Sequence, residues 1–361
     1  SSLEGTMVAD NVLNNGIVKV TIDKITGDIS SITRDGKEFV KQGNGFSVNN
    51  YKYLKGSDSP DKALGTSNAK YTVKENGPLL ATVVIESDAA GANKLIREIT
   101  ITRNDPHILL NNKLDKIGIV EKEGVHFGFA FDMENPKMVA DIPWGKIEIN
   151  KDQLLGANRN WIAVRRWVDI SEGNKGLVWT SLDVPLIEVG DIRANIIGAA
   201  TGSDEWVHKL DTNGVMYSWV MNNHWHTNFQ LSQEGMHSFK YSILPYNTTS
   251  NIVLANRFGN EQFQPLIVES IDENATLKQL LSIEGNPLVF STILKASKDG
   301  KSTLIRLRSL SENEEIVNLN WKSIKPSAIF YYNMKDGSQV EKLEGKVIVP
   351  ALDFITLEVI F

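Results

Sequence analysis

The chain has 361 residues, of which 41% are hydrophobic and 23% charged, and both values are ordinary for a globular protein. Its formal net charge of −6 argues against nucleic acid or an anionic membrane surface as a partner, because both carry negative charge. The chain has no cysteine, which excludes disulfides and thiolate metal sites.

Short strands joined by tight turns are predicted for the first third of the chain. Val18, Val20 and Ile22 alternate with polar residues, which is the period of a half-buried strand. Asp35-Gly36 is a strong hairpin signal. Residues 41–69 are rich in Gly, Asn, Ser, Asp and Lys, so we expect a long surface loop there.

The middle of the chain continues this pattern. Strands are predicted at residues 125–131, 161–168, 176–180 and 215–229, each bounded by Gly, Asn, Asp or Pro. Helical periodicity is weak and is confined to residues 252–258 and 275–283. Many short strands with turn signals between them indicate packed antiparallel sheets, so the fold class is all-β.

A change in composition at residues 245–287 predicts a domain boundary near Gly285. The roughly 75 residues that follow read as about six strands, enough for a small β-sandwich with its own core. We therefore predict a large β region at residues 8–250, a connecting segment at 251–285 and a small terminal sandwich at 286–361.

One stretch, residues 221–229, concentrates side chains that can recognise a ligand. Read as one strand with the residues before it, it has two faces, because successive side chains point to opposite sides. The predicted polar face is made of two amides and two imidazoles, Asn222, His224, His226 and Asn228. The predicted apolar face carries Val215, Tyr217, Trp219, Met221, Trp225 and Phe229.

Three interpretations of this polar face remain open. His224 and His226 could both reach one Zn²⁺, but zinc needs further ligands, and amides are poor ones. The face could instead be a polar network that satisfies strand edges. The third interpretation is a sugar-binding cleft or a docking surface for another domain, because amides and imidazoles both donate and accept hydrogen bonds. We predict Asn222, His224, His226 and Asn228 as substrate-binding residues, and no metal site.

Four passages, in their order along the chain, resemble the C-terminal β region of family 38 glycoside hydrolases, the retaining α-mannosidases. They are Val12-Leu13-Asn14-Asn15-Gly16-Ile17-Val18-Lys19-Val20 with Thr26-Gly27-Asp28-Ile29; Leu182-Asp183-Val184-Pro185-Leu186; Asn222-Asn223-His224-Trp225-His226-Thr227-Asn228-Phe229; and Leu294-Lys295-Ala296-Ser297-Lys298-Asp299-Gly300 with Leu304-Ile305-Arg306-Leu307. Each motif is weak alone, and the match is specific because all four occur in order across nearly the whole chain.

The resemblance implies a large galactose-mutarotase-like supersandwich followed by a small immunoglobulin-like β-sandwich. It also implies α-mannoside hydrolysis by a longer protein, whose nucleophile and zinc ligands lie in an N-terminal barrel and helical bundle. No segment here matches those motifs, so we expect no catalytic residue and no cofactor in this chain, with zinc held by the missing catalytic domain. The expected partners are that N-terminal domain and an α-mannoside-containing glycan, and the isolated chain is expected to be inactive.

Two alternatives come from other classes of protein. The chain could be a stand-alone carbohydrate-binding β module, or an enzyme that uses the supersandwich itself, as mutarotases and some polysaccharide lyases do. Acid–base chemistry of that kind would draw on carboxylates such as Asp115, Asp132, Glu134, Asp169, Asp183, Glu188 and Asp191. Sequence alone does not show which of these approach each other.

The stretch with Trp161, Arg165, Arg166 and Trp167 mixes aromatic and basic residues, as single-stranded nucleic-acid binders do. Its alternation instead predicts one buried strand, and the acidic chain disfavours nucleic acid. No apolar run approaches the roughly 20 residues that span a bilayer, so no membrane partner is expected. The lack of cysteine is compatible with an oxidising compartment and does not demonstrate one, and a periplasmic or secreted location is slightly favoured over a cytoplasmic one.

Overall fold

The structure is a computed structural model, and it describes residues 7–56, 58–193, 207–224, 230–270 and 279–361. The chain divides into two compact units. The first comprises Ser1–Asp141 and Ile147–Pro265, and the second comprises Ile142–Lys146 and Leu266–Phe361. The segment predicted as a connection, residues 251–285, thus contributes a helix to the first unit and a strand to the second.

The first unit is built mainly from strands that are short and antiparallel. In chain order they are β1 Val8–Ala9, β2 Val12–Asn14, β3 Val18–Ile22, β4 Ile29–Arg34, β5 Lys37–Glu38, β6 Val48–Lys55, β7 Thr66–Asn76, β8 Leu80–Ala89, β9 Ala92–Thr102, β10 Ile108–Lys116, β11 Glu123–Ala130, β12 Lys137–Ile142, β13 Gly145–Glu148, β14 Ile162–Ala163, β15 Trp167–Glu172, β16 Lys175–Ser181, β17 Leu186–Val189, β18 Val215–Asn222 and β19 Gly235–Tyr246. A 3₁₀ turn, Pro60–Lys62, and the helix α1, Ile252–Phe263, complete the unit.

Within the described residues these strands form two large sheets. The first has ten strands in the order β1-β2-β3-β4-β6-β11-β18-β17-β14, with β5 paired to β4. The second has nine in the order β13-β12-β15-β16-β19-β10-β9-β8-β7. One buried apolar cluster joins them, with Val20 and Phe127 from the first sheet and Ile99 and Trp179 from the second. The unit is therefore a two-sheet β-sandwich.

Strand β11 explains how the sandwich positions the site. Every residue of β11 is buried, yet its two faces differ. Val125, Phe127 and Phe129 belong to the apolar core between the sheets. Because side chains alternate along a strand, Gly124 and His126 face the outer side of the ten-stranded sheet. A fully buried strand of this kind shows that this outer side is also covered.

The second unit has its own strands and its own core. Its strands are β20 Leu281–Glu284, β21 Val289–Ala296, β22 Thr303–Ser309, β23 Glu315–Trp321, β24 Ala328–Asn333, β25 Ser338–Lys342, β26 Val347–Val349 and β27 Phe354–Ile360. They form sheets ordered β20-β23-β26 and β21-β22-β27-β24-β25. The core includes Ile305, Val317 and Leu357. The predicted all-β fold, a large sandwich followed by a small one, is confirmed.

Several local predictions were wrong. The loop predicted at residues 41–69 contains β6, which pairs with β11 near the middle of the ten-stranded sheet. Its polar Asn and Lys residues obscured the alternation of Tyr51 and Tyr53, both of which are buried. The stretch 161–168 is not one strand, since β14 and β15 belong to different sheets.

The helix prediction at residues 252–258 is confirmed, and α1 extends to Phe263. The Asn251 side chain caps it by accepting a hydrogen bond from the Leu254 N–H at 2.9 Å. The second predicted helix, residues 275–283, overlaps strand β20, so it is wrong at its described end. Within the described part of the chain, no helix is long and apolar enough to cross a membrane.

Candidate functional site

The predicted ligand-binding face begins at the end of β18. That strand ends at Asn222, and Asn223 and His224 continue as irregular chain, so the prediction of one strand through residue 229 was wrong at these two positions. His226 and Asn228 lie outside the described residues. Of the four predicted substrate-binding residues, the structure therefore places Asn222 and His224.

A β-bulge changes the phase of β18. Val125 pairs with Met221 whereas the next residue, His126, pairs with Trp219, so Val220 is the extra residue. As a result Met221 joins the core, while Trp219 turns to the outer face beside His126. The predicted common face of Tyr217, Trp219 and Met221 was wrong for this reason, because a single inserted residue reverses the side of everything beyond it.

A buried acid–base pair lies on the outer face of the ten-stranded sheet. Nε2 of His126 is 2.7 Å from Oε2 of Glu188, and both side chains are fully buried. The other carboxylate oxygen, Oε1, accepts a hydrogen bond from the Arg193 N–H at 2.7 Å. The Trp219 ring stacks over His126 with 6.5 Å between centroids, and Trp161 packs on Trp219 at 5.4 Å. This pair is sealed from solvent.

His224 joins the same cluster because Gly124 has no side chain. A Cβ atom at Gly124 would lie 3.1 Å from Nε2 of His224 and 3.3 Å from Cε1 of His126. Burial, together with electrostatic repulsion from His126 and Lys122, lowers the pKa of His224 to about 4. His224 is therefore neutral at pH 7, and within the described part of the chain neither of its ring nitrogens has a hydrogen-bond partner.

The described residues give no support to the zinc interpretation. They contain no group of three or more His, Asp or Glu side chains arranged to hold a metal ion. His224 and His126 share a cluster with one carboxylate, Glu188, which lies 2.7 Å from Nε2 of His126. His226, the other half of the predicted histidine pair, lies outside the described residues.

A cavity opens at one end of the sandwich, next to Asn222. Its volume is about 280 Å³, and its wall includes the end of β10, the start of β11 and the residues that follow β18. Most of the side chains around it are polar, and they include Lys116, Glu123, Asn222, Asn223, Gln230 and Gln233. Asn222 lies in this wall, and it is one of the two predicted substrate-binding residues that the structure describes.

The cavity wall holds a second buried ion pair. Nζ of Lys116 lies 2.6 Å from Oε1 of Glu123, and the two side chains are 1% and 7% exposed. Nζ also donates a hydrogen bond to the Ile117 carbonyl at 2.8 Å. The second carboxylate oxygen, Oε2, is buried and has no hydrogen-bond partner within the described residues. Burial, a hydrogen bond to the Glu123 carboxylate and the charge of that carboxylate raise the pKa of Tyr53, which keeps this hydroxyl neutral.

Asn223 fixes the shape of this wall. Its Oδ1 accepts a hydrogen bond from the Glu123 N–H at 2.5 Å. Its Nδ2 donates to the carbonyls of Ile119, Glu121 and Leu231 at 3.0, 2.8 and 3.0 Å. Because both N–H donors of the Asn223 amide are used inside the protein, its side chain ties two loops to β11.

The carboxylates proposed for acid–base chemistry are spread over the sandwich. Asp169 accepts hydrogen bonds from the Tyr246 and Ser250 hydroxyls, and burial raises its pKa. Asp183 accepts from the Lys240 N–H, and Asp132 pairs with Lys175. Of these candidates, Glu188 lies beside a histidine, His126, and both side chains are fully buried.

Sequence reasoning named Glu188 but missed His126, Lys116 and Glu123. His126 carried a signal, since it is a histidine within the apolar run of residues 125–131. Lys116 and Glu123 carried none, because they end one strand and begin another in different sheets. Only the folded chain brings them together.

Comparison with known families agrees with this architecture. Residues 13–181 match the model of the glycosyl hydrolases family 38 C-terminal domain. Residues 13–181 therefore resemble a family 38 C-terminal domain. The resemblance inferred from the four sequence passages is thereby confirmed, and this domain covers both partners of the Lys116–Glu123 pair.

Solved structures of family 38 proteins share the fold. An alpha-mannosidase from Enterococcus faecalis V583 matches with a TM-score of 0.74 at 12% identity, over 98% of this chain and 43% of its own. A second family 38 protein from Enterococcus faecalis matches with a TM-score of 0.72 at 12% identity, over 98% and 44%. The chain thus spans less than half the length of these proteins.

A galactose mutarotase related enzyme from Lactobacillus acidophilus also matches, with a TM-score of 0.38 at 14% identity, over 67% of this chain and 98% of its own. No curated protein matches the chain in a sequence comparison.

Proposed function

We propose that the chain is the C-terminal β region of an α-mannosidase-like glycoside hydrolase, which packs against an N-terminal catalytic domain and helps to shape its active site. The observation that carries this proposal is the share of each chain that the structural match covers. Nearly all of this chain, 98%, matches less than half, 43%, of an alpha-mannosidase. On this proposal the other part of such a protein supplies the catalytic carboxylates and the zinc, and an α-mannoside-containing glycan is the substrate.

The chemistry of the described residues is consistent with a supporting role. The His126–Glu188 pair is fully buried and so cannot contact a substrate in this arrangement. General acid–base catalysis needs the acid or base within hydrogen-bond reach of the reacting group. An enzyme that works through the sandwich itself, of mutarotase or lyase type, is therefore the weaker alternative.

The test of this proposal uses the reading frame upstream of Ser1. We expect it to continue into a catalytic domain with His and Asp zinc ligands, and we expect the longer protein to release 4-nitrophenol from 4-nitrophenyl α-D-mannoside. The isolated chain should show no zinc-dependent release. Hydrolysis of the mannoside by the isolated chain would overturn the proposal, as would an upstream frame that encodes a signal peptide directly before residue 1.

A second experiment tests the predicted ligand-binding residues. His224→Ala combined with His226→Ala should weaken sugar binding or domain docking while the chain still unfolds cooperatively. Because His224 is 3% exposed, its replacement also leaves a gap, and Asn222→Ala in the cavity wall is the cleaner variant. If the double variant no longer unfolds cooperatively, the polar-network interpretation is the correct one.

A stand-alone carbohydrate-binding module remains the second candidate, and the cavity beside Asn222 is the observation that favours it. This candidate requires sugar binding by the chain alone and no catalytic domain in the same protein. The lack of cysteine is compatible with secretion to the periplasm or beyond, and we propose that location for either candidate.

A further inference from the structure

We infer that the cavity beside the Lys116–Glu123 pair binds one neutral pyranose unit of a glycan. This inference deepens the proposed function, and its choice of a sugar as the ligand rests on that proposal. The binding itself needs only residues of this chain. It adds Lys116, Glu123, Gln230 and Gln233 to Asn222 as ligand-binding residues, and it places the ligand at the end of the sandwich.

The first argument is an unused acceptor. Oε2 of Glu123 is buried and has no hydrogen-bond partner among the described residues, although the side chain is 7% exposed and lines the cavity. A buried charged oxygen is costly to leave without a donor, and native proteins rarely do so without a functional reason. A hydroxyl group in the cavity would supply the missing donor.

The second argument is the complementary donor beside it. An ammonium group has three N–H donors, and Lys116 uses two of them, one on the Ile117 carbonyl and one on Glu123. A donor and an acceptor on adjacent side chains match two neighbouring hydroxyls of a sugar, since a hydroxyl can both donate and accept. The amides of Asn222, Gln230 and Gln233 add further groups that do both.

The third argument is the charge of the wall. Lys116 and Glu123 neutralise each other at 2.6 Å, and the other wall residues named above are uncharged amides. A phosphate or carboxylate ligand would be repelled by the Glu123 carboxylate, and a cation would be repelled by the Lys116 ammonium. Both charged classes of ligand are therefore disfavoured relative to a neutral polyhydroxylated one.

The fourth argument is size and rigidity. The cavity volume of about 280 Å³ lies just below the ~300–1,000 Å³ typical of small-molecule sites, which suits a single ring. Asn223 holds the wall in place through four hydrogen bonds to Glu123, Ile119, Glu121 and Leu231. A wall fixed in this way does not have to become ordered when the ligand binds.

The test is a titration of the 361-residue chain with methyl α-D-mannoside, followed by ¹H–¹⁵N NMR and by calorimetry. We expect saturable binding of one sugar with a millimolar Kd, and chemical-shift changes centred on Lys116, Asn222 and Gln233. Mannose 6-phosphate should bind more weakly because its charge faces Glu123. Absence of saturable shifts at these residues, or tighter binding of the phosphate, would overturn the inference.

Substitutions make the test specific. Glu123→Gln should weaken binding about 10- to 100-fold, since hydrogen bonds to charged groups are the stronger ones. This variant leaves Lys116 without its partner, so a second variant that spares the ion pair is needed. Gln233→Ala, at an exposed lining position, should weaken binding about 2- to 10-fold.

Gln264→Ala is the matched control, because Gln264 is also an exposed glutamine but ends helix α1 and does not line the cavity. It should bind methyl α-D-mannoside as the unsubstituted chain does. Equal affinity of the Gln233→Ala and Glu123→Gln variants with the control would contradict the assignment.

The inference and the proposed function fail in different ways. If the longer protein hydrolyses mannosides while this chain binds no sugar in the cavity, the inference is wrong and the proposed function stands. If the chain binds a neutral pyranose and no catalytic domain precedes it, the inference stands and the proposed function is wrong.

Discussion

Among the described residues, the first unit contains two buried pairs of an arginine or lysine with a carboxylate, and they differ in one respect. Arg97 lies 2.5 Å from Asp28, and Lys116 lies 2.6 Å from Glu123, with all four side chains nearly or fully buried. The second oxygen of Asp28 accepts hydrogen bonds from Ser47 and Asn50, whereas the second oxygen of Glu123 has no partner in the described part of the chain.

Burial and charge are thus common to a structural pair and to a candidate binding pair. What distinguishes them is whether the carboxylate is satisfied inside the protein. The Asp28 carboxylate is saturated and ties β4 and β6 to β9, while Glu123 keeps one acceptor beside a cavity. We therefore predict that the Arg97–Asp28 pair contributes to stability alone, whereas the Lys116–Glu123 pair contributes to both stability and ligand affinity.

The largest expected effect comes from breaking the satisfied pair. Arg97→Met removes the cation at similar side-chain volume and leaves the Asp28 carboxylate buried with no counter-charge. We expect the free energy of unfolding to fall by about 3–5 kcal/mol, as for other broken buried ion pairs. Urea denaturation measures this change, and methyl α-D-mannoside affinity should be unaffected in the folded variant.

Lys24→Met is the control for Arg97→Met, since it breaks an ion pair of nearly the same length, 2.6 Å to Asp10 against 2.5 Å, with both side chains more than half exposed. An exposed pair contributes at most about 1 kcal/mol. If Arg97→Met and Lys24→Met reduced the unfolding free energy equally, burial would not be what makes the Asp28 pair important.

The next effect concerns acid stability and the sealed cluster of His126, Glu188 and His224. The pKa of His224 is lowered from 6.5 to about 4, mainly by burial, so the unfolded chain takes up a proton that the folded chain does not. Stability is therefore lost as the pH falls from about 6.5 to 4. At 1.36 kcal/mol per pKa unit, this loss approaches about 3 kcal/mol.

His224→Gln should remove that part of the pH dependence, measured as the difference between the urea-denaturation curves of variant and unsubstituted chain from pH 7 to pH 4. The difference is the proper measure, because Asp169 acts in the opposite direction: its raised pKa favours the folded state as the pH falls. A difference that is constant across this range would show that His224 titrates normally in the folded chain.

The sequence predicted the fold far better than the site, and particular residues show why. Alternation such as Val18, Val20 and Ile22 is a local signal, so the strands and the family passages could be recognised without coordinates. The bulge at Val220 has no such signal, and it moved Trp219 and Met221 to opposite faces. A register shift depends on the neighbouring strand, which a single stretch of sequence does not display.

The same reasoning applies to the residues of the site. Asn222 was found because amides and histidines cluster in sequence around it. Glu188 was named, but its histidine lies more than sixty residues earlier in the chain and was not linked to it. Lys116 and Glu123 are close in sequence, yet they belong to different sheets, and only packing makes them a buried pair. Which charged residues are buried next to each other depends on the tertiary structure and not on the local sequence.

The smallest expected effect, stabilisation of the folded chain by a bound sugar, distinguishes the two buried pairs most clearly. A ligand that binds only the folded state raises the free energy of unfolding by RT ln(1 + [L]/Kd), which is about 1.4 kcal/mol at a tenfold excess over Kd. Methyl α-D-mannoside should give this increment in the unsubstituted chain and in Arg97→Met, because the Asp28 pair has no acceptor left for a sugar. At the same sugar concentration the increment should fall to about 0.4 kcal/mol or less in Glu123→Gln. Should Arg97→Met lose the increment while remaining folded, the two pairs would be coupled, and the distinction between a satisfied and an unsatisfied carboxylate would not explain where the ligand binds.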